Sequence, residues 1–529
     1  MNPDITDPIK IPPWGVDYLI RRAAREFSGQ AAVIVPGERN VSFAELDERS
    51  KRLAAGLLSL GLKQGDRVAV LLPNSREYLE AYLALARAGL VRITLNFRLS
   101  PGEHAYMLGD SESRALIVFH EFFANLRAAI KELKDLRWII LVEGKEKGTL
   151  EYEKLIAQTS PLPAEPEIGA EAVFRLHYTS GTTGRPKGAI QTHSSRVITT
   201  LNTLLDVVNF TSLDRVLHVA PLTHASGNLF LPSFIRGGAN VPLRRFDPAH
   251  FCRAVEQEGI TTVFLAPTMI IRLLAYPDLD RHKMESLHTI IYGGAPMPGE
   301  PLREALRRLG RRFVQIYGLA EATWADAVLN KEDHESGRED RLGTIGRELR
   351  NVRIGLVDES GNEVPPGEMG ELTIQGPHLM REYWKQPEAT AAALRKGWFH
   401  TGDMARMDQD GYIILLDRKG EMIVSGGFNV YPKEVEDTLY LHPGVMEAAV
   451  FGVPHPEWGE SVKAVVFPKE GWTLKEEDLI EHCKNHLASY KKPRSVDFAK
   501  EPLPKNNAGK ILRRELREKY WVGQKKRIH

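Results

Sequence analysis

The sequence predicts an α/β protein: a large N-terminal domain of helix-covered β-sheets that includes a small barrel-like unit, followed by a small α+β C-terminal domain. Three observations carry this expectation. At 529 residues the chain exceeds what one hydrophobic core organises, so at least two domains are expected. Strand-like apolar runs alternate with amphipathic helical runs through most of the chain, as parallel sheets covered by helices require. From about Ile345 to Ile414 the texture changes to short strands broken by Gly/Pro turns such as Asp358-Glu-Ser-Gly-Asn362 and Val364-Pro-Pro-Gly367. That section reads as the small antiparallel or barrel-like unit.

Individual elements follow from the same signals. Arg67–Leu72 reads as a strand followed by a helix over Glu77–Ala88, and Ala115–Val118 as a strand followed by a helix over Ala124–Lys134. Val173–Tyr178 alternates like a strand, Ser194 is placed to cap a helical run from Ser195 to Leu205, and Leu287–Tyr292 is strand-like. Residues 160–166, with three prolines, and the charged run Lys331–Arg341 read as surface loops. A new βα pattern begins after Asp417. The run after Asp417 is about the size of one small domain, so a division near that point is expected.

Composition excludes several classes. Apolar residues make up 43% and charged residues 26%, as in a globular enzyme. Lys and Arg total 70 against 69 for Asp and Glu, a net charge of +1 that supplies no bulk attraction to nucleic acid or anionic lipid. Two cysteines, Cys252 and Cys483, are too few and too far apart for a disulfide framework or a zinc site. The N-terminus has acids and prolines where a signal peptide needs an apolar core, no apolar run approaches a membrane span, and the C-terminus carries no peroxisomal address. A cytoplasmic location is the default, and a homodimer is left open.

The most informative stretch is Tyr178-Thr-Ser-Gly-Thr-Thr-Gly-Arg-Pro-Lys-Gly188. Five hydroxyl side chains, three glycines and two cations fall within eleven residues. Hydroxyls and bare N–H groups donate to phosphate oxygens, and glycine lets the main chain approach them. Thr179, Ser180, Gly181, Thr182, Thr183, Gly184 and Lys187 are therefore phosphate-binding candidates. The run is not a Walker A loop, because Pro186 breaks that pattern. It resembles the phosphate loop of the adenylate-forming superfamily, which includes acyl-CoA synthetases, luciferases and the adenylation domains of peptide synthetases.

Further motifs extend the resemblance, in family order, over roughly residues 40 to 515. In Gln315-Ile-Tyr-Gly-Leu-Ala-Glu-Ala-Thr323 an aromatic precedes a glycine, so a flat ring can lie against a base. Glu321 is a hard oxygen ligand suited to Mg²⁺, although alone it reads as a helix-start acid. The resemblance implies that Tyr317 stacks on adenine and Glu321 holds the metal. Ala320 stands where the family usually has Thr, and Thr323 is a candidate replacement for the missing hydroxyl. Upstream, Gly294, Ala295 and Pro296 match residues that line the adenine and acyl pocket. Asp403, in Trp398-Phe-His-Thr-Gly-Asp403, matches the ribose ligand, as an acceptor-only carboxylate can. Arg418 matches a second ligand near the ribose and phosphate. Residues 417–420 match the family's hinge, so the resemblance implies a large domain over 1–416 and a mobile C-terminal domain over 421–529; Gly420 stands at the pivot in place of the usual Asp or Lys, which keeps rotation available without a charge contact. Gly426 and Gly427 match a segment that flanks the pantetheine arm of coenzyme A. Lys510, ending Pro502-Leu-Pro-Lys-Asn-Asn-Ala-Gly-Lys510, matches the adenylation lysine, and His224 sits where the family gates or orients the acyl group.

The resemblance implies an ATP-, Mg²⁺- and coenzyme A-dependent acid–thiol ligase. Its catalytic residues are Lys510, Glu321 and His224. Rival readings are adenylation for a carrier protein, luciferase-like oxidation, and a non-catalytic nucleotide or acyl-CoA binding protein. The amino-acid branch places Asp just after the His224 position, where this chain has Ala225, so an acid without a required α-amino group is expected. Trp324 and Met297 are candidate limits on pocket depth, and fatty, aryl and alicyclic acids remain open.

Overall fold

The computed structural model describes residues 15–161, 166–179, 186–335, 338–418, 421–425, 428–505 and 510–521. It has the mixed α/β architecture expected from the sequence. Two large sheets build the N-terminal domain, a five-stranded antiparallel sheet follows them, and a second five-stranded sheet forms the small C-terminal domain.

The seven-stranded sheet runs 150–151, 138–142, 115–119, 67–71, 91–94, 173–179, 187–192 in spatial order. It is parallel except for the last pair, Val173–Thr179 with Lys187–Thr192, which forms the hairpin around the phosphate run. The nine-stranded sheet has a parallel interior, including 239–242, 215–218, 262–265, 289–293 and 313–317. Interior strands of both sheets are almost wholly buried, as continuous Val/Ile/Leu runs dictate. Crossover helices are closed by local chemistry. Ser75 caps Arg76–Ala88, which stops at Gly89 in the left-handed conformation, and Ser100 with Glu103 forms a capping box on Pro101–Asp110.

Some boundaries differ from expectation. The helix after Ala115–Phe119 is His120–Leu126, not 124–134, because its apolar anchors Phe123 and Leu126 pack early and the charged remainder breaks into turns. The helix after the phosphate hairpin begins at His193 and is capped by Thr192, whose hydroxyl accepts from Ser195 N. Ser194 instead points its hydroxyl at Glu171. That helix ends at Asn202 and continues as a wider turn over Thr203–Val207.

Asn74, just past the strand Arg67–Leu71, is buried and joins the two large sheets. Its amide nitrogen donates to the carbonyls of His218 (3.0 Å), Ala220 (2.9 Å) and Leu243 (3.1 Å), and its oxygen accepts from Leu222 N (2.8 Å). Those carbonyls end strands of the nine-stranded sheet or lie just beyond them. An amide side chain supplies both donor and acceptor, so one residue meets several backbone groups between the sheets; of these the His218 carbonyl also accepts from Leu243 N (3.0 Å).

The antiparallel sheet spans 353–357, 369–375, 394–395, 398–407 and 413–418. Its last strand ends at Arg418. There Asp417 accepts from Arg513 (3.1 Å) of the C-terminal domain, and Arg513 also pairs with Glu421 (2.5 Å) and Glu436 (2.6 Å). These three carboxylates hold the Arg513 guanidinium well above its ordinary range despite its burial. One arginine thus ties the end of the antiparallel sheet to the small domain. The expected pivot residue Gly420 lies outside the described residues.

Asn74→Ala is expected to lower folding stability by roughly 3 kcal/mol, since several backbone groups lose their partner at once. Urea denaturation measures this; a loss below about 1 kcal/mol would mean that water or a neighbour replaces the amide.

Candidate active site at the carboxyl ends of the parallel strands

The site-forming segments all leave the C-terminal ends of strands. Residues 180–185 follow Val173–Thr179, Gly294-Ala295-Pro296 follows Thr289–Gly293, Gly318–Thr323 follows Phe313–Tyr317, and His224 lies just beyond Arg215–His218. Open parallel sheets place ligands there, because loops from separate strands converge without disturbing the core.

The phosphate run is framed on both sides. Tyr178 donates its hydroxyl to Asp110 Oδ2 (2.6 Å), and Tyr106 donates to the carbonyl of Pro186 (3.1 Å). Tyr178 is therefore not among the hydroxyls that can meet phosphate; burial and Asp110 push its phenol far up. Thr179 and Lys187 face each other across the hairpin as backbone partners. Lys187 Nζ lies 5.3 Å from the centre of the Tyr383 ring. Ser180, Gly181, Thr182, Thr183 and Gly184 lie outside the described residues.

Tyr317 and Asp403, 86 residues apart, meet directly: the Tyr317 hydroxyl donates to Asp403 Oδ2 at 2.6 Å. This joins the nine-stranded sheet to the antiparallel unit. The ring is buried, and burial beside that carboxylate pushes the phenol far up, so it remains a donor. Thr401 Oγ1 accepts from the Asp403 backbone N–H (3.0 Å), fixing the turn. Arg418 is the antiparallel partner of Asp403 in register. Its side chain is not among those described, and neither Gly426 nor Gly427 is described.

Glu321 follows the sharp turn at Gly318, where a Cβ would collide with the carbonyl of Trp324; only glycine fits. Glu321 Oε1 accepts from the Tyr383 hydroxyl (2.8 Å), and its carbonyl accepts from Met380 N (2.6 Å). The 380–384 segment in turn pairs with the phosphate hairpin through Arg381 N to Ile190 O (2.9 Å) and Trp384 N to Gly188 O (2.7 Å). Tyr383 thus links Glu321 to Lys187. No motif points to it; the one signal in the sequence is an aromatic pair inside a polar stretch, Tyr383-Trp384.

Ala320 lends a carbonyl, which accepts from Gln191 Nε2 (2.8 Å). Thr323 does not replace the missing hydroxyl. It is buried at a positive φ of 64°, and its hydroxyl pairs with that of Thr199 inside the core. Trp324 is buried and Met297 partly so, both against the core of the nine-stranded sheet. Gly294 takes a left-handed φ of 79°, while Gly294 and Pro296 are exposed and Ala295 half-buried.

His224 Nδ1 lies 2.8 Å from the Thr223 hydroxyl, and its ring meets His177 edge-on at 5.6 Å. Burial, reinforced by Arg175 and Arg98, pulls its pKa down to about 4. It is a neutral imidazole at physiological pH, able to orient a partner without adding charge. Lys510 is half-buried and stands three residues before Arg513, which anchors its segment. Among the described residues no group of three or more His, Cys, Asp or Glu side chains could hold a metal, and no helix is long and apolar enough to cross a membrane.

Fold and site together define an adenylate-forming enzyme. The chain belongs to the AMP-binding enzyme family, whose profile matches residues 20–384, and the AMP-binding enzyme C-terminal domain matches residues 434–510. It is 41% identical over 503 residues to a feruloyl-CoA synthase of Amycolatopsis sp, covering 95% of this chain and 98% of that one. It is 35% identical over 505 residues to an indoleacetate–CoA ligase of Aromatoleum aromaticum, covering 95% and 97%. The fold superposes on the anthranilate CoA ligase AuaEII in complex with anthranoyl-AMP with a TM-score of 0.89 at 26% identity, covering 96% and 98% of the two chains.

Tyr317→Phe keeps the ring but removes the donor that fixes Asp403. ATP affinity is expected to fall about ten-fold, the value of one hydrogen bond to a charged acceptor. Calorimetric titration measures it, and unchanged affinity would show that Asp403 is held by other contacts.

Proposed function

We infer that the protein is an AMP-forming acid–thiol ligase that activates an aryl or arylalkyl carboxylic acid as its acyl-adenylate and transfers the acyl group to coenzyme A. The observation that carries this is the direct contact of Tyr317 with Asp403 at the mouth of the parallel strands, which presents a flat ring beside an acceptor-only carboxylate. Adenine and a ribose diol ask for that combination. The similarity to feruloyl-CoA and indoleacetate–CoA ligases along almost the whole chain supports the reaction and favours an aromatic acid.

In the first half-reaction the acid carboxylate attacks the α-phosphorus of ATP and pyrophosphate leaves. The hydroxyls and backbone N–H groups of 179–184, with Lys187, hold the phosphates, and Lys510 meets the charge that builds between carboxylate and phosphate. Glu321 fits Mg²⁺: it is a hard oxygen ligand held by Tyr383, and a single carboxylate with substrate phosphates is the usual magnesium arrangement. When bound, the ion neutralises phosphate charge. In the second half-reaction the thiolate of coenzyme A attacks the acyl carbon of the mixed anhydride and AMP leaves with its electron pair. This reading assigns residues 421–529 a rotation about 417–420 that withdraws Lys510 and presents Gly426 and Gly427 to the pantetheine arm. His224, kept neutral, orients the acyl group without competing for its charge. Ala225 offers no carboxylate for an ammonium, so an α-amino group is not required.

Lys510→Ala is expected to cut acyl-adenylate formation by at least about a hundred-fold, the scale of losing one preorganised charge-stabilising group. Thioester formation from supplied acyl-adenylate and coenzyme A should persist. Single-turnover assays of the two steps test this, and equal loss of both in folded protein would remove the division of labour.

A further inference from the structure

Four arginines are fully enclosed among the described residues: Arg87, Arg92, Arg175 and Arg196. Arg87 faces a carboxylate, Asp47. The partly buried Arg49, Arg76 and Arg513 do likewise, with Glu80, Glu153, Asp417, Glu421 and Glu436 as partners. The other three enclosed arginines lie together, and none has a carboxylate partner among the described residues.

The trio shares its neighbours. Arg92 and Arg175 are register partners on adjacent parallel strands, so their side chains leave the same face of the sheet. Arg175 Nη2 and Arg196 Nη1 approach the same oxygen, Asn228 Oδ1, at 3.5 and 2.7 Å. Arg196 Nε donates to the Tyr82 hydroxyl (3.2 Å), while the Arg92 guanidinium lies 4.0 Å from the centre of the Tyr82 ring and 5.1 Å from that of Phe174. Every acceptor they meet is neutral: Asn228, Gln191, Tyr82 and the carbonyl of Thr323. Arg92 Nε and Nη1 are buried with no hydrogen-bond partner at all.

Guanidinium does not give up its proton in proteins, and a buried charge is tolerated when it is paired. Three like charges, with Nε and Nη1 of Arg92 unmet, therefore lack an anion. Cation–π contact offsets part of the desolvation of Arg92 but leaves the N–H groups of its Nε and Nη1 unmet. Burial and mutual repulsion are strong enough to pull Arg175 down to about 9.

The location says what the anion belongs to. Asn228 closes the short turn Ala225–Asn228 that begins at His224, and Thr323 lies two residues past Glu321. Arg175 shares its strand face with His177, whose ring meets His224. The cluster is thus bracketed by the acyl gate and the adenylate turn. Resting on the acid-activating reading above, we propose that Arg92, Arg175 and Arg196 bind a second oxyanion of the acid substrate at the end remote from the carboxyl that is activated, either a carboxylate or a phenolate whose proton is released to solvent on binding.

The test compares three acids, cinnamate, 4-hydroxycinnamate and 4-carboxycinnamate, by kcat/KM for pyrophosphate release. The parent protein is expected to favour at least one substituted acid over cinnamate by more than about ten-fold, because a site with buried donors rejects a ligand that leaves them unmet. Which of the two it favours separates carboxylate from phenol. Arg92→Met should abolish that preference and Arg92→Lys should keep part of it; each ratio is read within one protein, so a general loss of activity cancels. Without acid, Arg92→Met should melt no lower than the parent, since it removes an unpaired charge. No preference in the parent, a preference that survives Arg92→Met, or a lower melting temperature for that variant would each overturn the proposal. Saturable stabilisation by formate that Arg92→Met abolishes, without any acid preference, would reveal a free-anion site and overturn it as well. If none of the acids, nor indoleacetate or a fatty acid, releases pyrophosphate, it is the acid-activating reading that fails instead.

Discussion

One buried side-chain amide ties the strand ends of the two large sheets together, alongside hydrogen bonds such as Gln191 to the Ala320 carbonyl. Asn74 meets four backbone groups at the edge where strands of the nine-stranded sheet end, and it does so from the end of a strand in the seven-stranded sheet. Apolar packing between the sheets is non-directional and would tolerate sliding. Hydrogen bonds with buried partners do not. Because the carbonyl ends of both sheets are joined in this way, the hairpin of Val173–Thr179 with Lys187–Thr192, the segment 220–228 and the turn 317–323 share one crevice.

Within that crevice, the two carboxylates to which the proposed function gives roles are held by phenols. Tyr317 donates to Asp403 and Tyr383 donates to Glu321. A neutral donor orients a carboxylate while leaving its negative charge available to a ligand; a lysine or arginine in the same place would cancel it. Full ion pairing is used instead where the antiparallel sheet meets the small domain, at Arg513 with Asp417, Glu421 and Glu436.

The sequence was legible where chemistry is local. The βα alternation, the strand over Val173–Tyr178 and the antiparallel texture after Ile345 appear as expected, because strand periodicity and Gly/Pro punctuation act over a few residues. Tyr317 and Asp403 were each marked by motif resemblance, but no local pattern says that two side chains 86 residues apart touch. What stayed hidden depends on such contacts between distant segments. Nothing local marks Asn74 as a bridge, Tyr383 as the partner of Glu321, or Arg92, Arg175 and Arg196 as one cluster. Tyr178 and Thr323 looked like phosphate-side hydroxyls because composition reports a group but not its direction; the fold turns the first to Asp110 and the second to Thr199.

The central claim is that this crevice forms an acyl-adenylate before coenzyme A takes part. Exchange of labelled pyrophosphate into ATP, driven by an aromatic acid with coenzyme A absent, measures that step alone. The account predicts acid-dependent exchange without the thiol, and AMP with an acyl thioester once the thiol is added. Absence of exchange with every acid that the complete system converts, or release of ADP in place of AMP, would contradict it.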